Sequence, residues 1–457
     1  MLLSRLNDVV WSPWLLGLFL AAGLYYSLRT GFFQLFRIPL WLRTTFGAML
    51  RRRGRGNGRG ISQFQALATA LASTIGTGSI AGVATAIWFG GPGAVFWMWV
   101  SALLGMMTGC AEKLLSVRYR RAGPAGWLGG PMYYIRDGLK SPLLAGWFAL
   151  ACLPATLTGG DMVQSSSIAA ALQATFGWDR LAVGAAVAVL TGLVMVGGIG
   201  RIARVSSGLV PAMALLYLGG GAAVLAARAD QIPEAMALIF CSALRPEAAV
   251  GGGMGYTLAA ALRYGVARGV FTNEAGLGTS AMAHAAAEVD CPARQGMWGI
   301  VEVCVSTLLV CTATALVILV SGVYGPADAL VRGALGAVPP DRLGAPLTAA
   351  AFSSVLGPWG GAVVSLSLLL FAFSSILGWS WYGEQSILYL TGSRRLVPAY
   401  RLVFLSCVVL GSVWEGEAVW ELVDLCNALM AIPNLTALLL LSPQVLLELR
   451  DWERTGG

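Results

Sequence analysis

Four residues inside an apolar stretch, Gly76-Thr77-Gly78-Ser79, are the first candidates for chemistry in this 457-residue chain. They interrupt residues 65–93, a run long and apolar enough to cross a bilayer once. Glycine costs about 1 kcal/mol relative to alanine in a helix interior, so the run resists helix formation at its centre. Backbone groups freed there find no water in hydrocarbon and are tolerated only where protein or a polar cavity satisfies them. Half-helices over Gln65–Ile75 and Ile80–Phe89 would turn carbonyls near Ala72 and Ile75 toward a cation. They would also turn the amides of Gly76, Thr77, Gly78 and Ser79 toward a carboxylate, with the helix dipole adding attraction. The same small residues also suit a helix packed tightly against its neighbours.

Other polar groups in apolar runs extend the list. Asp161 is a carboxylate in a mid-membrane run, where an unpaired charge costs at least ~2.5–3.5 kcal/mol and marks a functional candidate. Gln164, one turn on, supplies both a donor and an acceptor for a zwitterion. Glu302 is a second buried acid, one turn before Ser306. Ser374 and Ser375 carry adjacent hydroxyls, which serve a cation or bond back to their own helix. Trp379 shares the Ser375 face. Asn273-Glu274-Ala275-Gly276-Leu277-Gly278 reads as a hinge or inner gate, with Glu274 paired to Arg268. His284, the single histidine, reads as a local cap. No nucleophile–base set accompanies any of these carboxylates, so an enzyme is not expected. The eight cysteines show neither metal-ligand spacing nor a disulfide framework, so no transition metal is expected.

The elements that hold these residues follow from composition. The chain is 57% hydrophobic and 11% charged, a balance that cannot cover a water-soluble surface. Apolar runs of about 18 residues or more recur along its length, each able to span ~30 Å of hydrocarbon. The expected fold class is an all-α polytopic membrane protein. A first helix over Trp14–Leu28, read as retained rather than cleaved, leads to an interfacial segment over Phe32–Leu50 and a basic loop over Arg51–Arg59. The broken helix follows, then crossings over Ala94–Val117, Leu143–Leu172, Leu181–Gly198 and Val205–Ala227. A second interrupted helix is expected from Ile232–Leu244 through Gly251–Gly255 to Ala267, with Gly252 and Gly253 at its break. The stretch Arg268–Arg294 then reads as cytoplasmic. Four more crossings, over Met297–Val320, Ser354–Tyr382, Val397–Val413 and Ala418–Leu441, complete about 11.

Charge supports this threading. Of 30 Lys and Arg residues, only Arg5, Arg180, Arg228, Arg245, Arg332 and Arg342 face outward, as the positive-inside rule requires. The basic excess is therefore a topology signal, and no nucleic-acid partner is expected. Five crossings begin with each interrupted helix, and an odd number inverts the second set. The resulting five-plus-five inverted repeat points to alternating access around a central site. The expected divisions are 1–60 (first helix, interfacial helix and basic loop), 61–230 and 231–445 (the two repeats), and 446–457 (a cytoplasmic tail).

Longer motifs carry a resemblance. GTGSIAGVATAIWFGGPGAVFWMW at 76–99, GGPMYYI at 129–135, DMVQSSSIA at 161–169 and GGIGRIARVSSGLVPAMA at 197–214 occur in order. GVARGVFTNEAGLGTSAMAHAAA at 265–287, CTATALVIL at 311–319 and FAFSSILGWSWYGEQ at 371–385 follow. Together they resemble the alanine or glycine:cation symporters, the sodium:alanine symporter family of the amino acid-polyamine-organocation superfamily. The resemblance implies a bacterial inner-membrane carrier importing alanine, glycine or a similar small amino acid with sodium, or sometimes protons, and no other cofactor. It places the substrate at Gly76, Thr77, Gly78, Ser79, Gln164, Gly252, Gly253, Ser375 and Trp379. Ser374 and Ser375 match the family's cation position; the residue reading adds Ala72 and Ile75 at the break and Asp161 and Ser306 as further cation candidates, and assigns gating to Arg268, Asn273 and Glu274.

Three positions depart from the family pattern. Ser79 and Asp161 each stand where Asn is usual, and Ser306 where Asp is usual. One negative charge is lost at Ser306 and one appears at Asp161, which could bind a cation, bind the substrate ammonium or carry a coupling proton. Sodium-coupled uptake is the first reading. A proton-coupled carrier using Asp161, or a carrier of another small substrate, is the second. An uncoupled facilitator or ligand sensor belongs to a different class. Oligomeric state is not legible.

Overall fold

The computed structural model describes residues 2–47, 60–123, 126–244, 258–324, 344–414 and 417–455. Helices dominate them, and one short antiparallel ribbon pairs Arg121–Gly123 with Gly126–Leu128. Seven of the described helices are long and apolar enough to cross a membrane: Gly93–Arg118, Pro142–Phe176, Gly198–Ala227, Pro292–Val320, Pro358–Thr391, Arg394–Val413 and Val419–Leu440. An eighth span is broken, with Gln63–Thr74 and Gly78–Gly90 meeting at 54°. The chain is an all-α, multi-pass membrane protein.

The broken span has local causes at both ends. Ser62 caps the first half with a reciprocal box: its hydroxyl accepts from the Gln65 amide at 3.1 Å, and the Gln65 side chain accepts from the Ser62 amide at 3.0 Å. The helix stops at Thr74 because Ile75 takes a non-helical ψ of 79°. Residues Gly78–Gly82 then resume as one wide π-helical turn before the second half, Val83–Gly90. Two more π-helical stretches interrupt spans at Thr158–Met162 and Cys304–Cys311. Such bulges occur mostly where a helix is bent for function. The first of them follows Pro154, which removes one ladder hydrogen bond.

Small residues let these helices touch. A Cβ on Gly299 would lie 2.5 Å from the Gly109 carbonyl oxygen, and one on Gly265 2.4 Å from that of Ala94. Helices Pro292–Val303 and Leu258–Asn273 therefore press backbone to backbone on Gly93–Arg118, where membrane packing favours small side chains. The same helix buries Glu112 and Lys113 completely, although their place in the sequence suggested the cytoplasmic end of the span.

Among the described residues, a second interruption follows helix Leu258–Asn273. Helix Ile232–Leu244 is a separate element packed on the start of Gly93–Arg118, where a Cβ on Gly93 would lie 2.6 Å from the Ser242 carbonyl. Gly251–Gly255, including Gly252 and Gly253, and the basic loop Arg51–Arg59 lie outside the described residues. The break that meets Gly76–Ser79 is the turn between Leu258–Asn273 and the short helix Ala281–Ala285. Its backbone demands it: Glu274, Gly276 and Gly278 have φ of 54°, 98° and 80°. A side chain at Gly278 would also meet the Pro131 ring at 2.4 Å. Residues assigned to a cytoplasmic stretch thus reach the protein centre. Beyond them, Ile61 and Ala287 form a parallel bridge, with Ile61 N to Ala286 O at 3.0 Å and Glu288 N to Ile61 O at 2.8 Å. That bridge ties the start of the first broken span to the end of the second. The expected tail belongs to helix Ser442–Arg454, held by Arg118–Glu448 and by Arg37–Glu453 at 2.8 Å.

Candidate substrate and ion site

Where the two breaks face each other, the structure holds a cavity of about 380 Å³, part of it open to the outside. Its walls come from five elements. The first break supplies Ser73, Thr74, Gly76 and Gly78, and the second supplies Phe271, Glu274 and Leu277. Gly159 and Gln164 come from the bent span, Trp379 from Pro358–Thr391, and Val423 and Asn427 from Glu417–Leu440.

Gln164 joins two of these elements. Its Nε2 donates to the Gly159 carbonyl at 3.0 Å, and its Oε1 accepts the Thr77 amide at 3.4 Å. The hydroxyls of Thr77 and Ser79 are buried with no partner among the described residues. The Ser79 carbonyl accepts from Thr314 at 2.9 Å. Gly76 has no room for a side chain: a Cβ there would lie 2.6 Å from Ser375 Oγ and 3.2 Å from Gln164 Oε1. Trp379 closes on the bend from the other side, and a Cβ on Gly160 would lie 2.4 Å from its Cβ.

Beside the cavity, Ser374 and Ser375 both donate to the Ala72 carbonyl at 3.0 Å. Ser375 also reaches the Ser73 carbonyl at 3.3 Å. Ser374 bonds back to Phe371 O at 2.8 Å as well. Ala72, Ser374 and Ser375 therefore gather hydroxyl and carbonyl oxygens at the first break. Ile75 is buried at the break itself, where the backbone leaves the helix.

Asp161 and Ser306 stand apart. Asp161 is fully buried in the Thr158–Met162 bulge, and neither carboxylate oxygen has a partner among the described residues. It does not line the cavity. Tyr400 and Cys407, both on helix Val397–Val413, lie within its electrostatic reach. Ser306 turns its hydroxyl to the Val303 carbonyl at 3.4 Å, the ordinary back-bond of a membrane helix. Both residues lie in π-helical stretches, and neither lines the cavity.

Glu274 does not pair with Arg268. Its carboxylate accepts from the Thr279 hydroxyl, while the Arg268 guanidinium lies over the Phe271 ring at 5.8 Å. Asn273 holds the turn by accepting the Ala275 amide at 3.0 Å. Glu302 and His284 belong to a buried cluster behind this turn. Lys113 Nζ lies 3.2 Å from Glu302 and 3.4 Å from Glu112. His284 Nε2 lies 3.2 Å from Glu302 and its Nδ1 2.6 Å from Gln295 Nε2. Glu112 accepts the Gly276 amide at 2.9 Å and Asn434 Nδ2 at 2.7 Å. The cluster thus grips the turn that carries Glu274. Sequence reasoning missed Asn427 as a wall residue, although an amide side chain within an apolar run is itself a signal.

Comparison with known proteins agrees with this architecture. The model of the sodium:alanine symporter family matches residues 1–456. The sodium/alanine symporter AgcS of Methanococcus maripaludis is 41% identical over 98% of this chain and 96% of its own length. The probable sodium/glutamine symporter GlnT of Bacillus subtilis is 36% identical over 98% of this chain and 89% of its own. The putative sodium/proton-dependent alanine carrier protein YrbD of the same organism is 36% identical over 99% and 92%. Among solved structures, a manganese transporter of Eremococcus coleocola shares the fold, with a TM-score of 0.51 over 85% of this chain and 78% of its own at 16% identity. The broken span, its polar cavity and a family match along nearly the whole length identify a cation-coupled amino acid transporter and not an enzyme: the chain belongs to the sodium:alanine symporter family.

Proposed function

We propose that this chain carries a small neutral amino acid of the alanine or glycine type into a bacterial cell across the inner membrane, coupled to sodium by alternating access. The observation that carries the reading is the meeting of the Gly76–Ser79 break with Gln164 and Trp379 around one cavity. Glycines at 76, 78 and 159 keep the walls close, which suits a small side chain. The Thr77 and Ser79 hydroxyls, buried with no partner among the described residues, suit the substrate carboxylate, and the dipole of the second half-helix favours it. Sodium fits the oxygens beside the cavity. As it binds, the Ser374 and Ser375 hydroxyls, which donate to Ala72 at 3.0 Å, rotate their protons away and turn lone pairs to the ion alongside the Ala72 and Ile75 carbonyls. An ion there would lie one residue from the substrate break, so each ligand would stabilise the geometry the other needs.

The coupling scheme extends the eight clear spans. Pro13–Arg29, Arg180–Met195 and the interrupted pair Leu258–Asn273 with Ala281–Ala285 bring the proposed crossings to about 11, in five-plus-five inverted order after the first. The two interrupted helices are the moving parts of such a carrier. Gating then involves Asn273 and Glu274 through the turn itself, with Arg268 one element away.

One observation favours a second reading: the unpaired, buried carboxyl of Asp161 suits a coupling proton. The test for both is uptake by the purified protein in liposomes. Labelled glycine, alanine, serine and glutamine are compared under an imposed sodium gradient and an imposed proton gradient. Sodium-driven accumulation of alanine or glycine is the expected result. Accumulation under the proton gradient alone selects the second reading, and equilibration without accumulation in either gradient refutes coupled transport.

A further inference from the structure

Glu274 is a carboxylate in the cavity wall that carries no cation of its own. Its residue is 3% exposed. The Thr279 hydroxyl donates to Oε2, and Oε1 has no hydrogen bond among the described residues. The nearby basic groups are committed elsewhere: Lys113 lies between Glu112 and Glu302 at 3.4 and 3.2 Å, and Arg268 covers Phe271. Breaking into an enclosed site with an unpaired charge is costly, so such a carboxylate is kept where a ligand supplies the countercharge. A second acceptor stands in the same wall. Asn427 is also 3% exposed, and its Oδ1 is buried with no partner.

We infer that Glu274 and Asn427 receive the ammonium group of the amino acid substrate. The inference rests on the reading of the cavity as an amino acid site. An ammonium group has three donors. Glu274 Oε1 takes one with charge assistance, Asn427 Oδ1 takes another, and a carbonyl freed at the first break takes the third. The substrate carboxylate then falls to the first break, where the Thr77 and Ser79 hydroxyls are buried with no partner among the described residues, so the zwitterion lies across the cavity from one break to the other. This arrangement explains why the turn adopts a left-handed φ of 54° at Glu274, a conformation that costs about 1–3 kcal/mol and persists where the surroundings enforce it. The Glu112 grip on the Gly276 amide at 2.9 Å is such an enforcement.

The test uses the full chain in lipid nanodiscs, with equilibrium binding of labelled alanine at saturating sodium, competition by propionate, and binding of radioactive sodium without amino acid. Glu274→Gln is expected to weaken alanine binding on the order of tenfold or more, the loss of a charge-assisted hydrogen bond in a dry site. Propionate, which lacks the amine, should compete as it does in the parent, and sodium binding should not change. Glu274→Asp should recover part of the alanine affinity. Alanine binding within about twofold of the parent overturns the inference, as does a fall in sodium binding that matches the fall in alanine binding, which assigns the carboxylate to the ion. If Glu274→Gln does not fold, Asn427→Ala removes the neutral acceptor alone. It must weaken alanine binding severalfold without altering propionate competition, and an unchanged alanine affinity overturns the inference. A parent that binds none of glycine, alanine and serine refutes the reading of the cavity itself; a parent that binds alanine beside an equally competent Glu274→Gln refutes only the role of Glu274.

Discussion

Lys113→Met tests whether the buried charge cluster supports the substrate turn. Lys113 sits with no exposed surface between Glu302 at 3.2 Å and Glu112 at 3.4 Å. Methionine keeps most of the side-chain volume and removes the charge, leaving two carboxylates facing each other without an ammonium between them. Removing one partner of a buried pair costs about 3–5 kcal/mol. Glu302 keeps its contact with His284, and Glu112 keeps its bonds from Gly276 and Asn434, so these carboxylates are not wholly stranded. The expected loss is therefore at the lower end, about 3 kcal/mol, or a fall in apparent melting temperature of roughly 3 °C for a chain of this length. Adding Glu302→Gln removes one of the two uncompensated charges and should recover roughly half of that loss, a coupling that neighbouring sites in one network show. The assay is the fraction of detergent-solubilised protein that stays monodisperse after heating, measured beside alanine binding. Because Glu112 also holds the Gly276 amide, alanine affinity should fall with stability in Lys113→Met and return with it in the double variant. A Lys113→Met protein that melts within about 1 °C of the parent refutes the argument, and so does a double variant no more stable than the single one.

Three further outcomes follow from the cavity. Gly76→Ala should abolish uptake while the protein still inserts, since its Cβ would lie 2.6 Å from Ser375 Oγ; uptake at the parental rate refutes the close packing at the break. The pair Ser374→Ala with Ser375→Ala removes two hydroxyls at 3.0 Å from the Ala72 carbonyl and should raise the sodium concentration for half-maximal uptake on the order of tenfold or more, with an unchanged sodium response excluding them as ligands. Asp161→Asn should leave alanine affinity within about twofold of the parent, because the side chain does not line the cavity, yet remove any acceleration of uptake by an inward proton gradient; a large loss of alanine affinity refutes this separation of sites.

Much of the fold was legible along the chain. Hydrophobic length marks a membrane span without reference to any neighbour, so the long apolar helices fell near their expected places. The Gly76–Ser79 break was legible for the same local reason: the backbone there disfavours a helix whatever surrounds it. The turn after Asn273 was not read as a break because the run of glycines at 251–253, which lies outside the described residues, is the stronger local signal. The turn at Glu274–Ser280 contains fewer glycines and is enforced by contacts that come from far along the sequence, including Glu112, Asn434 and Pro131. Asp161 was legible as a buried carboxyl, but its absence from the cavity wall was not, since which residues share a wall depends on how separate helices pack.

By itself, the sequence determined what kind of molecule this is. Composition demanded a bilayer, apolar length set the spans, and glycine placement opened one helix at mid-membrane. Only the tertiary structure decided which groups share the cavity. Gln164 reaches Thr77, and Ser375 reaches Ala72, across 87 and 303 residues of chain, and Glu274 came to a wall it had seemed to flank. Helix formation depends on neighbours a few residues away, whereas a substrate site in this protein is assembled from five helical elements whose side chains meet only when small residues let the backbones close.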